Sequence, residues 1–348
     1  MAKNKVTTQK TVLITRFSAL GDVAMTIPIV YPVCEANPEV KFIFVTRKEA
    51  AAMFINTPEN LIVLGIDLDQ YKGLTGPLKL ARNLHFRYDF DTMADLHDVL
   101  RTKFMRFVLK HKGVTVAHID KGHKEKRKLI SGKLRQQLTS THDRYKAVFS
   151  QLGLTGHKEF SSIFEDTDIP DSPMVPAKED GTKWIAISPF SQHHGKEYPL
   201  EKIEQVINEL TRKENYYIFL MGGGEKERKA LNPLKNLSHV VSLPHIKHSF
   251  ADELALLAHC DVMVTMDSAN MHLASLVGLP VVSVWGATHP WCGFMGWHQS
   301  LDNAVQLDLD CRPCSVFGNK KCRFGDYHCM NDITPQMIID KVTNILEQ

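Results

Sequence analysis

The sequence predicts an α/β protein built from two doubly wound domains, and three features carry that prediction. From Thr11 onward, short β-rich runs alternate with longer amphipathic stretches, the pattern of βα units around a parallel sheet. Between Glu165 and Lys183 the alternation stops; three prolines and six acidic residues without periodicity read as an interdomain linker, and the alternation restarts beyond it. At 348 residues, against about 150 per domain, each half can bury a core of its own.

In the first half the strands fall at residues 11–15, 41–46, 61–64, 90–94 and 114–117, with a helix over 22–36 after the first. Residues 121–135 carry seven Lys or Arg against one Glu with little apolar periodicity, so they read as an exposed basic loop, and a helix resumes near Arg144. Strands of the second half fall at 184–188, 216–221, 240–242, 262–265 and 281–285. The end differs: residues 310–331 hold four cysteines among turn formers, and then Thr334-Pro335 opens a terminal helix as N-cap and first helical residue. The expected domains are therefore 1–170 and 183–333, followed by the terminal helix over 334–348.

Composition limits the function classes. Hydrophobic residues make up 43% and charged residues 23%, which excludes disordered, collagen-like and coiled-coil chains. A formal net charge of +3 is too balanced for a surface that grips nucleic acid as a whole. The basic run also lacks aromatics for base stacking, so a nucleic-acid-binding module ranks last. The longest apolar stretch, 273–285, is broken by Ser275, Gly278, Pro280 and Ser283 and falls short of the ~20 residues of a spanning helix. Seven cysteines, an odd number, and no charged-then-apolar leader ahead of Thr11 point to a reducing cytoplasm, with peripheral membrane contact left open.

Four motifs follow strands, on the edge where open parallel sheets bind ligands. In Arg16-Phe-Ser18-Ala-Leu-Gly21-Asp22, Gly21 permits a tight approach, and Asp22 either caps the amides of the next helix or projects toward a ligand. No G-x-G-x-x-G occurs here, which argues against a dinucleotide-binding dehydrogenase. In the loop from Ser188 to Pro199, Lys196 could neutralise a phosphate and Ser191 or Gln192 could donate to it; a plain turn before a helix is the alternative. Gly222-Gly223-Gly-Glu225 lets a ligand near the backbone and offers Glu225 to ribose hydroxyls, unless it is only a Gly-rich turn. In Asp267-Ser268-Ala269-Asn270-Met-His272, free amides and the helix dipole would meet a phosphate, with His272 one turn on; the alternative is an N-capped helix carrying a half-buried histidine.

Three further features are weaker. Asp95-Leu-His97-Asp98-Val-Leu-Arg101 follows the fourth strand, so His97 and Arg101 could meet an acceptor or the transferred sugar, or simply start a solvated helix. Cys311, Cys314, Cys322 and Cys329 supply four thiols with one CxxC, a possible structural zinc set that competes with a reduced or redox-labile cluster. Asp67-Leu-Asp69, Asp89-Phe-Asp91 and Asp308-Leu-Asp310 invite a metal-dependent reading, but none lies on a phosphate turn.

The four motifs, in this order and spacing, resemble family 9 glycosyltransferases, the ADP-heptose:lipopolysaccharide heptosyltransferases, from about residue 11 to the end of the chain. The resemblance implies the GT-B architecture: two Rossmann-like domains facing a cleft, with the last helix returning to the first domain. It implies inversion at the anomeric carbon with no cofactor or catalytic metal, ADP-heptose as donor, and the lipopolysaccharide core or lipid A as acceptor. Asp22 is then the catalytic base, Lys196 and the Asp267–His272 turn hold the donor diphosphate and sugar, and Glu225 holds the ribose. Arg16, Ser18, His97 and Arg101 fall on the acceptor side, and Lys124, Lys126, Arg127 and Lys128 match an acidic acceptor in charge. Peripheral contact with the inner membrane follows, and no nucleic-acid partner. The chain departs from the family pattern at Ala269, where glycine is common, and at Glu197-Tyr198, where a Trp commonly precedes the proline. Another GT-B enzyme, a UDP-sugar transferase or a nucleotide-sugar epimerase, is the nearest rival.

Overall fold

The computed structural model describes residues 9–73 and 75–348; the first eight residues of the expected first domain lie outside them. They form two compact units, one running to Lys121 and including Thr141–Phe160, the other comprising Gly122–Ser140 and Ser161–Gln348. In chain order the elements are β1 (Thr11–Thr15), α1 (Leu20–Ala24), α2 (Ile27–Glu35), β2 (Lys41–Arg47), α3 (Lys48–Ala51), β3 (Leu61–Ile66), α4 (Gly76–Tyr88), β4 (Thr92–Asp95), α5 (Leu100–Lys110), β5 (Thr115–His118), α6 (His123–Ile130) and α7 (Thr141–Gln151). Then come β6 (Lys183–Ser188), α8 (Leu200–Leu210), β7 (Tyr216–Leu220), α9 (Gly224–Ala230), β8 (Val240–Ser242), α10 (Phe250–His259), β9 (Val262–Met266), α11 (Ala269–Leu276), β10 (Val281–Val284), β11 (Ala304–Val305), α12 (His328–Asn331) and α13 (Pro335–Leu346).

Both sheets are parallel throughout, ordered β3-β2-β1-β4-β5 and β11-β10-β9-β6-β7-β8, the same Rossmann winding with one more strand in the second. Strands covered on both faces read as unbroken apolar runs, and Val12, Leu13 and Ile14 of β1 are fully buried. Leu13, Ile43, Val45 and Met93 meet Leu80 and Leu84 of α4 and Met105 and Leu109 of α5 in one core cluster. The helix expected over 22–36 is two helices: Pro28 has no N–H to give the preceding turn, so α1 stops and α2 starts afresh with Pro28 in its first turn.

Three expectations are corrected. The basic run is not an exposed loop of the first domain but contains α6, and from Gly122 it belongs to the second unit. Lys126 is buried with its ammonium 4.1 Å from the centre of the Phe294 ring, and Leu129 packs with Leu138 and Cys292. A cation on the buried face of so short a helix hides its apolar periodicity. The terminal helix α13 also differs from expectation: Ile338, Val342 and Leu346 join Ile203 and Val206 of α8 in the core of the second unit rather than returning to the first. Residues 161–170 likewise join the second unit, where Ile163 N–H donates to Leu276 O at 2.7 Å. Among the described residues, no helix is long and apolar enough to cross a membrane.

Removing a fully buried side chain leaves a cavity its neighbours cannot close, so Ile338→Ala should cost about 2–4 kcal/mol. The exposed Asn344→Ala on the same helix should stay within about 0.5 kcal/mol. Urea unfolding of the two variants reads the difference; equal midpoints would remove α13 from the second core.

Candidate active site

In each sheet the winding reverses beside the first strand, between β1 and β4 and between β6 and β9, so the loops leaving those strands diverge and open a crevice at their carboxyl ends. The Arg16–Asp22 and Asp95–Arg101 segments leave β1 and β4; the Ser188–Pro199 loop and the Asp267 turn leave β6 and β9.

In the first unit, register places Thr15 beside Asp95, and Thr15 Oγ1 donates to Asp95 Oδ1 at 3.2 Å. The wholly buried Asp95 also accepts the His97 and Asp98 amides at 2.9 and 3.1 Å and faces Arg106 at 3.4 Å, which fixes the turn that carries His97. His97 in turn accepts from Phe17 N–H through Nδ1 and lies 3.4 Å from Ser18 Oγ through Nε2. Burial, Arg16 and Lys121 lower His97 to about 3, so it acts as a neutral ring. Asp22 Oδ2 accepts from Ala19 N–H at 3.1 Å, closing the start of α1, and pairs with Arg16 Nη2 at 2.6 Å. Arg16 is itself held by Leu96 O at 2.8 Å, while the Asp22 side chain keeps 28% of its surface exposed. Tyr145 on α7 donates to Asp22 O at 3.2 Å, which gives the 142–145 segment a buttressing role the sequence did not disclose.

Arg101 donates to Tyr71 O and lines, with Arg47, Lys72 and Arg87, a cavity of about 1050 Å³ also lined by Glu49, Asp67 and Asp69; Arg47 acts on both Arg101 and His97. Of the basic run, only Lys121 belongs to the first unit; burial and Arg16 lower its pKa, and it acts on His97. Lys124, Arg127 and Lys128 are exposed on α6, which belongs to the second unit, and Lys126 is buried against Phe294.

In the second unit, Lys196 Nζ stands 3.0 Å from Asp267 Oδ2, and Thr288 Oγ1 donates to the same oxygen at 2.8 Å. Gly318 supports the lysine from the cysteine loop: its φ is +76°, and a Cβ there would stand 2.5 Å from Lys196 Cγ. Ser268 turns its hydroxyl to Thr265 Oγ1 at 3.1 Å and does not cap α11, which leaves the first amides of that helix, the positive end of its dipole, without a side-chain cap. Asn270 donates to Ser188 Oγ between the two loops, and His272 is buried on α11. Ser191 Oγ is buried with no hydrogen-bond partner among the described residues, whereas Gln192 is exposed.

Glu225 is exposed and paired with Arg228 and Lys229 along α9 at 2.8 and 3.2 Å; it is Glu227 that accepts from Gly223 N–H at 2.7 Å and shapes the Gly222–Gly223 turn. Among the described residues no group of three or more potential ligands is placed to hold a metal ion, although Cys311, Cys314, Cys322 and Cys329 lie near enough to act on one another electrostatically. Each thiol points to a different neighbour, Cys311 to His328, Cys314 to Ala287 O and Cys322 to Asp326, while Cys329 sits in the core. Of the Asp-x-Asp strings, Asp67 closes its own turn and Asp310 pairs with Arg135.

Sequence reasoning missed Thr288 and Arg312. Arg312 sits inside the CxxC, buried, and donates to the carbonyls of Trp285, Gly286, Thr288 and Leu307 and to Gln306 Oε1. The loop it pins carries Thr288 to Asp267. The signal available was a charged residue between two cysteines, which the metal reading passed over.

The His97 shift makes a pH prediction. In the unfolded chain a histidine takes up a proton near pH 6.5, whereas folded His97 does so only near 3. Between those values the unfolded state binds more protons, so stability is lost as pH falls through the window. His97→Gln should flatten that part of the stability–pH curve, and the His97 ring resonance should not titrate above pH 5; a midpoint near 6.5 by NMR refutes the buried neutral ring.

Comparisons with known proteins give the chain's relatives. The chain is 23% identical to lipooligosaccharide heptosyltransferase 2 of Campylobacter jejuni, over 94% of this chain and 96% of the relative. In structure it is similar to a glycosyl transferase family 9 protein from Veillonella parvula, with TM-score 0.71, 18% identity and coverage of 97% and 98%. It is also similar to the E. coli heptosyltransferase WaaC solved with ADP, with TM-score 0.67, 18% identity and coverage of 96% and 99%. These show the GT-B fold. The model of glycosyltransferase family 9 (heptosyltransferase) matches residues 78–328, most of the chain, and the protein belongs to that family.

Proposed function

We propose that the chain transfers a heptose from ADP-heptose to the lipopolysaccharide inner core by direct displacement with inversion. The observation that carries this reading is Asp22, a carboxylate oriented through one oxygen by Arg16 and the Ala19 amide at the carboxyl end of β1, with part of its surface open to solvent. A fixed carboxylate at that edge suits a base that takes the proton of an attacking hydroxyl. In the second unit, Lys196 beside the uncapped start of α11 suits the growing charge of a leaving diphosphate and does the work a divalent ion could do. The adenosine diphosphate assignment draws on WaaC, whose structure holds ADP. The acceptor assignment draws on the relative named for lipooligosaccharide, and it brings the enzyme to a membrane surface; among the described residues no helix is long and apolar enough to cross one.

Asp22→Asn keeps the shape and the cap but loses the base, so kcat should fall by about 10²–10⁴-fold while calorimetric binding of ADP-heptose changes little. Near-normal turnover in that variant would reduce Asp22 to a cap. Wild-type turnover should persist in excess EDTA; loss that Mg²⁺ or Mn²⁺ restores overturns the lysine-and-amide reading.

A further inference from the structure

The three most exposed large apolar side chains of the described residues, Phe86 at 94%, Leu100 at 69% and Phe107 at 62%, all lie on α4 and α5. These helices pack side by side, and between them they carry seven Lys or Arg and no Asp or Glu. The exposed residues follow helical spacing: Lys79, Arg82 and Phe86 on α4; Leu100, Lys103, Phe107 and Lys110 on α5. Lys103 faces Asp98 at 3.9 Å, but Lys79, Arg82 and Lys110 form no ion pair among the described residues.

We propose that the α4–α5 face docks the enzyme on a bilayer rich in anionic phospholipid. Bare phenylalanines cost free energy in water and gain it at the boundary between headgroups and acyl chains, while the flanking cations keep their heads among lipid phosphates. A second copy of the chain is a poor occupant, because a two-fold contact would press together two pairs of helices that carry cations and no acid, with only the capping Asp89 of α4 to offset them. The assignment rests on exposure and charge, not on which sugar is transferred.

The test is co-sedimentation of the full chain with vesicles of phosphatidylcholine alone, or with about one-third phosphatidylglycerol. Wild type should bind only the anionic vesicles, and less so as salt rises. The double variant Phe86→Ser/Phe107→Ser should lower the bound fraction about tenfold. Lys79→Gln/Arg82→Gln/Lys110→Gln should lower it mainly at low salt, and both variants should keep the wild-type thermal midpoint and ADP-heptose affinity. Wild type that ignores anionic vesicles, or variants that bind them as wild type does, overturn the proposal. So does a dimer seen by light scattering that the phenylalanine variant dissolves while vesicle binding is unchanged.

Discussion

The placement of chemistry in both units depends on one constraint, the reversal of strand order beside β1 and beside β6. A right-handed crossover can carry a parallel sheet outward in only one direction at a time, so the chain must return to the middle and wind the other way. Where it does, two adjacent strands end with loops that part. The sequence answers that geometry with polar residues in register at the strand ends: Thr15 beside Asp95 in one sheet, Ser188 beside Thr265 in the other. Each anchors a loop that would otherwise leave buried amides unpaired.

Charge is then held where it would not settle unaided. Buried ions lose hydration, and the loss is offset only when their hydrogen-bonding groups are met. Arg312 meets this condition through four carbonyls and one side-chain amide oxygen, and it fixes the loop from Trp285 to Thr288. That loop gives Thr288 to Asp267, and Asp267 with Gly318 sets Lys196. The cysteine-bearing segment thereby has a structural role: it delivers Arg312 and Gly318 to the lysine loop.

What the sequence disclosed follows from the range of the forces involved. Strands were legible because a doubly covered sheet demands continuous apolar runs, and β1 begins and ends where expected. The turns bearing Asp22 and Asp267 were legible because they directly follow such strands. Long-range assignments were not. The pairing of Glu225 with Arg228 and Lys229 emerges only once α9 sets helical spacing. The side on which α13 packs depends on the complementary stripe of α8, which no local pattern names.

Charge was hardest to place because it was read by density along the chain. The 121–135 run concentrates seven cations, yet the fold divides it after Lys121 and buries Lys126 under an aromatic ring. The cations of α4 and α5 raise no such signal, since they are spread through two helices separated by a stretch that holds Asp89, Asp91, Asp95 and Asp98. Folding sends Asp95 into the core and pairs Asp98 with Arg106 at 2.7 Å, which takes these two acids out of the balance and leaves Asp89 and Asp91 exposed. A cationic face can therefore arise from a segment whose linear composition is unremarked, and a conspicuous basic run can be turned to packing.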